Sequence, residues 1–142
     1  MTIHHPQMAL VADLMSSPVI TVTTATPVSD AMKILRDHRI RHLPVVNARG
    51  RLVGVVSNRN MLVAHRSRGD IGGTRRIGHV MTNRPYTIRP HDALALAADR
   101  LLKHKIGCLP VVDEDGQVVG IIAESDFVKA FATHRDSVPV GA

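Results

Sequence analysis

An internal repeat constrains the fold of this chain more than any other feature: residue i matches residue i+66 without a gap over most of the length. The match is tightest at Leu-Pro-Val-Val, which occupies residues 43–46 and again 109–112. Other identical pairs in the same register are Met15 and Met81, Thr21 and Thr87, Ala31 and Ala97, Leu35 and Leu101, His38 and His104, and Gly54 and Gly120. Because 142 residues give room for one compact domain, the two copies must pack as one unit.

Each copy has the predicted order strand, helix, strand, strand, helix. The β-rich stretches PVITV (18–22) and PYTI (85–88) come first. Apolar residues at helical spacing follow, and Thr26 or Asp92 is expected to cap the helix while Pro27 takes its first position. LPVV, a polar turn ending in glycine and a second apolar run then predict a hairpin, followed by another helix. A half this small buries too little surface to fold alone. The sequence therefore predicts an α+β fold in which two repeats pack sheet to sheet around a pseudo-twofold axis.

Composition excludes several classes of protein. No apolar run approaches the roughly 20 residues that span a bilayer, and the first residues lack the order of a secretory signal. Aromatic residues make up 2% of the chain, so the predicted core is aliphatic. The single Cys108 can form no internal disulfide and is read as a small buried residue. These features predict a cytoplasmic protein with no membrane contact.

The formal net charge of +6 favours anionic ligands. The basic residues cluster at 36–42 and 65–76, and neither cluster is interleaved with the aromatic side chains that single-stranded nucleic acids stack on, so nucleic-acid binding is disfavoured. His38 with His42, and His4 with His5, have spacings that could seat a metal ion. No carboxylate or cysteine completes either set, and no metal site is predicted.

Three paired motifs carry a resemblance to a known family: DLMSSPVITV and HVMTNRPYTI, HRIRHLPVV and HKIGCLPVV, and GVVSNRN and GIIAESD. In this order and number they resemble the CBS-domain family in its tandem arrangement, the Bateman module. The resemblance covers residues 11–63 (first repeat) and 77–130 (second repeat). The remaining residues are then an N-terminal extension (1–10), a linker rich in arginine and glycine (64–76) and a C-terminal tail (131–142).

The resemblance implies a regulatory module without catalytic activity and without a required cofactor. Members bind adenosyl compounds, chiefly AMP, ADP, ATP and S-adenosylmethionine, in two clefts between the repeats; NAD is a further candidate. They often form homodimers shaped as a disc of four repeats, and a separate effector protein, not identifiable from this sequence, would read the ligand state. The alternative is a protein-interaction module whose clefts have degenerated.

The corner between the second hairpin strand and the following helix carries the family's ribose-binding pattern, and the two copies diverge there. The first copy has Ser57 and Asn60, while the second has Ala123 and Asp126. The resemblance implies that the aspartate binds both ribose hydroxyls, which an ionised carboxylate accepts with charge-assisted strength. Either corner could instead serve only to cap its helix.

Two unequal clefts follow from the resemblance, each combining the corner of one repeat with the first strand and the segment around the LPVV proline of the other. In the stronger cleft, Arg41 is expected to contact phosphate and the aliphatic residues to enclose the base. The stronger cleft contains Asp126, Ser125, Ile20, Thr21, Ile40, Arg41, His42 and Pro44. The weaker cleft contains Ser57, Asn60, Tyr86, Thr87, Ile106, Gly107, Cys108 and Pro110.

Overall fold

The computed structural model describes residues 10–68 and 75–133. The predictions for most of the N-terminal extension, the middle of the linker and most of the tail lie outside these residues. The first half contains α1 (Val11–Leu14), β1 (Val22–Thr23), α2 (Val28–His38), β2 (His42–Val46), β3 (Leu52–Ser57) and α3 (Asn58–Arg68). The second half contains a 3₁₀ helix (Ile77–His79), β4 (Thr82–Asn83), α4 (Leu94–His104), β5 (Cys108–Val112), β6 (Val118–Ala123) and α5 (Glu124–Thr133). The predicted α+β class is confirmed.

Each LPVV strand forms an antiparallel hairpin with the apolar strand after it, and the turn is built the same way in both copies. Asn47 Oδ1 accepts hydrogen bonds from the backbone N–H groups of Arg49 and Arg51, at 2.9 and 3.0 Å. Asp113 Oδ1 accepts the corresponding two bonds at 2.9 and 3.0 Å. Gly50 and Gly116 close these turns with φ angles of 78° and 79°, which a residue with a side chain rarely adopts. The hairpins therefore have matching geometry.

The helices after the first strands begin later than the sequence predicted. Pro27 and Ala93 are the N-cap residues, with extended backbones and no side-chain cap. Thr26 Oγ1 accepts from the N–H of Thr23 at 3.1 Å, and Asp92 Oδ2 accepts from the N–H of Arg89 at 2.9 Å. The prediction that Thr26 or Asp92 caps the helix, with Pro27 in its first position, was therefore wrong. These side chains close the turn before each helix, because that turn offers its own free N–H groups.

The opening segment of each copy packs on the other copy. Val11 belongs to the buried cluster around Leu109 and Ile122, whereas Ile77 belongs to the cluster around Leu43 and Val56. Strand β4 extends the first sheet by pairing antiparallel with β3, which gives the order β1-β2-β3-β4. On the other side, Ser16 makes the equivalent bridge to Ile121 beside the β5-β6 hairpin. Neither sequence repeat thus contains its complete core.

Two glycines leave room for the opening segments that pack on the opposite copy. A Cβ atom on Gly54 would lie 2.6 Å from Met81 Sδ, and a Cβ atom on Gly120 would lie 2.6 Å from Met15 Sδ. Both methionines are half-buried against the core of the opposite copy. The absence of a side chain at Gly54 in β3 and at Gly120 in β6 therefore leaves the space that Met81 and Met15 occupy.

The two hairpins also meet at their turns, where Arg51 and Gln117 form an isolated bridge. The N–H of Leu52 donates to the carbonyl of Gly116 at 3.2 Å, and Gln117 Nε2 donates to the carbonyl of Arg49 at 2.7 Å. The turns thus lie at one end of the paired hairpins and the strand-to-helix corners at the other. Among the described residues, no helix is long and apolar enough to cross a membrane.

Candidate functional site

The first corner is closed by reciprocal hydrogen bonds between Ser57 and Asn60. Asn60 Oδ1 accepts from the Ser57 N–H at 3.1 Å and from the Ser57 hydroxyl at 2.7 Å, while Ser57 Oγ accepts from the Asn60 N–H at 3.0 Å. This arrangement satisfies free donors at the start of α3 and is a capping box in which asparagine takes the usual place of glutamate. The side-chain oxygen of Asn60 is consequently engaged twice in the helix cap.

The second corner is only half closed. Asp126 Oδ2 accepts from the Ala123 N–H at 2.8 Å, and Ala123 has no hydroxyl to return a bond. Asp126 is half-buried, whereas Ser125 and Glu124 beside it are exposed. Within the described residues, Asp126 Oδ1 makes no hydrogen bond. The second corner therefore leaves one carboxylate oxygen able to accept a further hydrogen bond, whereas the first corner has no carboxylate.

Arg41 and His42, at the start of β2, lie between the two corners. Their backbone contacts the corner of their own repeat, because His42 pairs with Ser57 in the hairpin and the Asn58 N–H donates to the Arg41 carbonyl at 3.0 Å. The His42 side chain contacts the other repeat, since a Cβ atom on Gly107 would lie 2.9 Å from His42 Nε2. Gly107 in turn accepts from the Glu124 N–H at 3.2 Å. His42, one of the residues predicted for the stronger cleft, therefore contacts Gly107, which is hydrogen-bonded to the second corner.

The other residues predicted for that cleft occupy varied surroundings. Ile40 is 36% exposed and, with Met32, Leu35, Arg36 and Asn58, lines a hollow of about 270 Å³ beside the first corner. The Arg41 and Thr21 side chains are exposed, Ile20 is half-buried against the first core cluster, and Pro44 is buried within β2. Their grouping with Asp126 around one ligand stays a prediction.

Among the residues predicted for the weaker cleft, Tyr86 is 52% exposed and stacks on His104, with ring centroids 3.7 Å apart and an interplanar angle of 12°. Thr87 is fixed next to it, because its carbonyl accepts from Arg100 Nη1 at 2.7 Å. Sequence reasoning did not single out His104 or Arg100 as site residues. The signal for His104 was present, since it matches His38 in the repeat, but a stacked partner for Tyr86 is visible only in three dimensions.

The rest of that cleft is largely structural. Cys108, Leu109 and Pro110 are buried in β5, and Ile106 packs against the second core cluster. Burial raises the pKa of the Cys108 thiol to about 12, so it remains protonated and a poor nucleophile at neutral pH. The interpretation of Cys108 as a small buried residue is confirmed. In the part of the chain that the structure describes, no group of three histidine, cysteine, aspartate or glutamate side chains could hold a metal ion.

His42 makes the stability of the fold depend on pH. Burial, followed by the nearby Arg41 charge, lowers the pKa of His42 below its ordinary 6.5, and Glu124 opposes the shift. The unfolded chain therefore binds a proton on this imidazole at a higher pH than the folded chain does. We expect the free energy of unfolding to be unaffected by His42 above the unfolded pKa and to fall as the pH drops from about 6.5 to the folded pKa.

Urea unfolding between pH 8 and pH 5 measures this effect. The variant His42→Gln should show a shallower loss of unfolding free energy on acidification than the unaltered chain. Comparison of slopes, rather than of absolute stabilities, separates the proton effect from lost packing against Gly107. Equal slopes in the two proteins would contradict the assignment.

Comparison with known proteins adds three kinds of similarity. The family model described as the CBS domain matches residues 11–66 and 77–133. The fold resembles the CBS domain pair of protein MJ0100 in complex with 5′-methylthioadenosine and S-adenosyl-L-methionine, with a TM-score of 0.81 and 31% identity, covering 89% of this chain and 98% of the other. It also resembles CBSX2 from Arabidopsis thaliana in complex with AMP, with a TM-score of 0.76 and 32% identity over 89% of this chain and 98% of that one.

Among curated proteins, a homoserine O-acetyltransferase from Methanococcoides burtonii is 34% identical over 116 residues. The match covers 82% of this chain but 23% of that enzyme. The similarity therefore extends over a minor part of the relative's length.

Proposed function

The chain belongs to the CBS-domain family and carries two CBS repeats, and on this basis we propose that it is a regulatory module that binds an adenine nucleotide or another adenosyl compound. The single observation that carries the proposal is the half-closed second corner, where Asp126 caps the helix with one oxygen and keeps the other. An ionised carboxylate in that position can accept hydrogen bonds from the two adjacent hydroxyls of a ribose. The ligand is therefore held by its sugar at the corner of the second repeat.

The ligands of similar structures support the class. The pair from MJ0100 holds 5′-methylthioadenosine and S-adenosyl-L-methionine, and CBSX2 holds AMP. The adenosyl group is common to all three compounds, whereas the phosphate is present in one. A site that recognises ribose through a carboxylate suits this shared part of the ligands.

The charges around the two corners favour an anionic member of the class. Arg41 is exposed between the corners, and Arg39 is exposed close by at the end of α2. Guanidinium groups pair well with phosphate because they donate in a planar fork. We accordingly expect AMP, ADP or ATP to bind more tightly than S-adenosylmethionine, whose sulfonium is cationic.

The first corner should bind weakly. Asn60 Oδ1 is already engaged by the Ser57 N–H and hydroxyl, and its uncharged amide would accept a ribose hydroxyl less strongly than a carboxylate. The exposed Tyr86 ring could stack on a base, but His104 already covers one of its faces. One strong site per chain, or two sites of unequal affinity, follows from this asymmetry.

We propose that the chain signals by binding and not by catalysis. The matched acetyltransferase is about four times as long as the aligned segment, and the matched segment here is a CBS pair. A ligand that bridges the repeats stabilises the arrangement to which it binds more tightly. A separate protein would then detect that arrangement.

Calorimetric titration of AMP, ADP, ATP, NAD and S-adenosylmethionine into the full chain tests the proposal. Binding of at least one of them with a dissociation constant in the micromolar range, with a stoichiometry near one for the tight site, is the expected result. The absence of binding for every compound would reject the sensor function and favour the alternative of a protein-interaction module.

We further propose that the partner in assembly is a second copy of the chain. The helices after the two corners expose apolar side chains at equivalent places in the repeat: Leu62 on α3 is 36% exposed and Val128 on α5 is 68% exposed. Phe131, 57% exposed, lies on α5 near Val128. Val128 and Phe131 are three residues apart and so lie on one face of α5. Exposed apolar patches often mark an interface, and a homodimer would bury this same patch on both copies.

Light scattering coupled to size-exclusion chromatography tests the assembly. The unaltered chain should elute as a dimer, and the double variant Val128→Glu/Phe131→Glu as a monomer, because a buried unpaired carboxylate opposes association. Thr133→Glu, on the exposed end of the same helix, is the control and should remain dimeric. A monomeric unaltered chain at every concentration would contradict the proposal.

A further inference from the structure

A second hollow lies at the turn end of the paired hairpins, away from the strand-to-helix corners. It measures about 560 Å³, within the range of sites for small ligands. Strand β6, six residues long, separates this end from the second corner by roughly 20 Å. Its lining consists of Arg51, Leu52, Arg84, Pro85, Thr87, Val112, Glu114, Asp115 and Gly116.

Two positive and two negative side chains share this hollow. Arg51 and Arg84 supply guanidinium groups, while Glu114 and Asp115 supply carboxylates. All four residues are exposed, and within the described residues no ion pair of 4.0 Å or less joins any of them. Arg84 is held in the left-handed backbone region with φ of 49°, which is uncommon for a residue other than glycine, asparagine or aspartate. The hollow therefore combines opposite charges with apolar lining residues, Leu52, Pro85 and Val112, which together are termed its apolar floor.

Comparison of the two copies of the repeat tests whether these charges are needed to form the turns. The positions equivalent to Arg51, Arg84, Glu114 and Asp115 in the other copy are, in the same order, Gln117, Pro18, Ala48 and Arg49. The turns of the two copies nevertheless have the same side-chain hydrogen bonds and nearly identical glycine φ angles. Each turn thus forms without the charges found at these positions in the other turn, so turn formation does not account for Arg51, Glu114 or Asp115.

We propose that this hollow binds a small zwitterion, namely a free α-amino acid with an apolar side chain. The ligand's carboxylate pairs with Arg51 and Arg84, and its ammonium group pairs with Glu114 and Asp115. Its side chain lies on the apolar floor. A purely anionic ligand would be repelled by the two carboxylates and a purely cationic one by the two arginines, so the charge pattern matches a molecule that carries both.

The site is independent of the proposed adenosyl site, apart from Thr87, which the sequence analysis assigned to the weaker cleft and which also lines the hollow. Asp126 does not line it. Failure of one proposal therefore leaves the other standing.

Titration of the full chain with leucine and with methionine, followed by amide chemical shifts, tests the inference. We expect saturable shifts at residues 51–52, 84, 86–87 and 112–116. N-acetyl-leucine lacks the ammonium group and leucinamide lacks the carboxylate, and each should bind at least about tenfold more weakly. Arg84→Gln and Asp115→Asn should each weaken leucine binding by a similar factor.

Arg49→Gln is the matched control, since Arg49 occupies the position equivalent to Asp115 in the other turn, and it should bind leucine like the unaltered chain. AMP titration of each variant shows whether the corner end is intact. The inference is overturned if leucine and methionine cause no saturable shifts up to millimolar concentrations. It is equally overturned if both derivatives bind as well as leucine, or if inorganic phosphate alone saturates the same residues.

Discussion

Replacing Asp126 with alanine is expected to weaken AMP binding by about 30- to 100-fold, the largest effect on binding of any single change in this chain. The substitution removes the carboxylate that is proposed to accept from the ribose hydroxyls; interactions with a charged acceptor contribute about 1.5–3 kcal/mol, and a net loss of about 2–2.7 kcal/mol corresponds to this 30- to 100-fold weakening. The same change deletes the acceptor for the Ala123 N–H, so a loss of about 1 kcal/mol in unfolding free energy accompanies it. Calorimetry and urea unfolding of the same preparation measure the two effects.

The variant Asp126→Asn separates the loss of AMP binding from the loss of stability. Its amide oxygen can still accept from the Ala123 N–H, as Asn60 does at the equivalent position of the other copy, so the unfolding free energy should change little. The negative charge is lost, and AMP binding should still fall by at least about tenfold. If Asp126→Asn bound AMP as tightly as the unaltered chain, the carboxylate would not be what holds the ribose.

Asn60→Asp is the reciprocal change. The Ser57 N–H and hydroxyl that now donate to Asn60 Oδ1 can donate to a carboxylate, which also interacts favourably with the N-terminus of α3. The new charge should strengthen the weaker cleft by about tenfold and bring a second AMP per chain into a measurable range. A variant that remains folded but binds no additional AMP would show that the weaker cleft lacks more than a carboxylate.

Gly54→Ala and Gly120→Ala are expected to give the largest losses of stability. Each new Cβ atom would lie 2.6 Å from a methionine Sδ and 2.9 or 3.0 Å from a backbone carbonyl oxygen, that of Thr82 or Ser16. The methionine can move, but the carbonyl belongs to the segment that pairs with the strand, so the backbone must shift. Crowding of this kind costs about 1–3 kcal/mol, measurable as a lower urea midpoint.

A double-mutant cycle checks the cause. Met81→Ala alone should destabilise the fold by removing a half-buried side chain, but in combination with Gly54→Ala it removes one of the two clashes. The combined loss should therefore be smaller than the sum of the separate losses. Additive losses would show that the glycine is needed for some reason other than space for Met81.

The parts of the fold that sequence could predict are those with a local signature. LPVV, the glycine-ended turns and the apolar helical spacing each indicate an element by themselves, and the repeat doubles the signal. Val11 and Ile77, in contrast, are single apolar residues in short segments, and nothing local indicates that each is buried in the opposite copy. The two helices begin one residue later than predicted because the side chains of Thr26 and Asp92 accept hydrogen bonds from N–H groups of the preceding turn instead of from those of the helix.

The candidate site was predictable to a similar degree. The motif located Ser57, Asn60 and Asp126, since the corner pattern is contiguous in sequence. It could not show that Asn60 Oδ1 is used twice within its own corner while Asp126 keeps one oxygen, because that depends on side-chain orientation. The stacking of Tyr86 on His104 and the contact of His42 with Gly107 likewise join residues that are distant in sequence, and periodicity carries no information about such pairs.

The exchanged opening segments also determine when the chain can finish folding. Val11 precedes the rest of the first copy along the chain, yet its core partners belong to the second copy, including Ile122 near the end of that copy. Contacts of such long sequence separation carry a large loop-closure cost and slow folding. During translation neither core can be completed until both copies have been synthesised, so the corner proposed to bind ribose forms only after both copies are present.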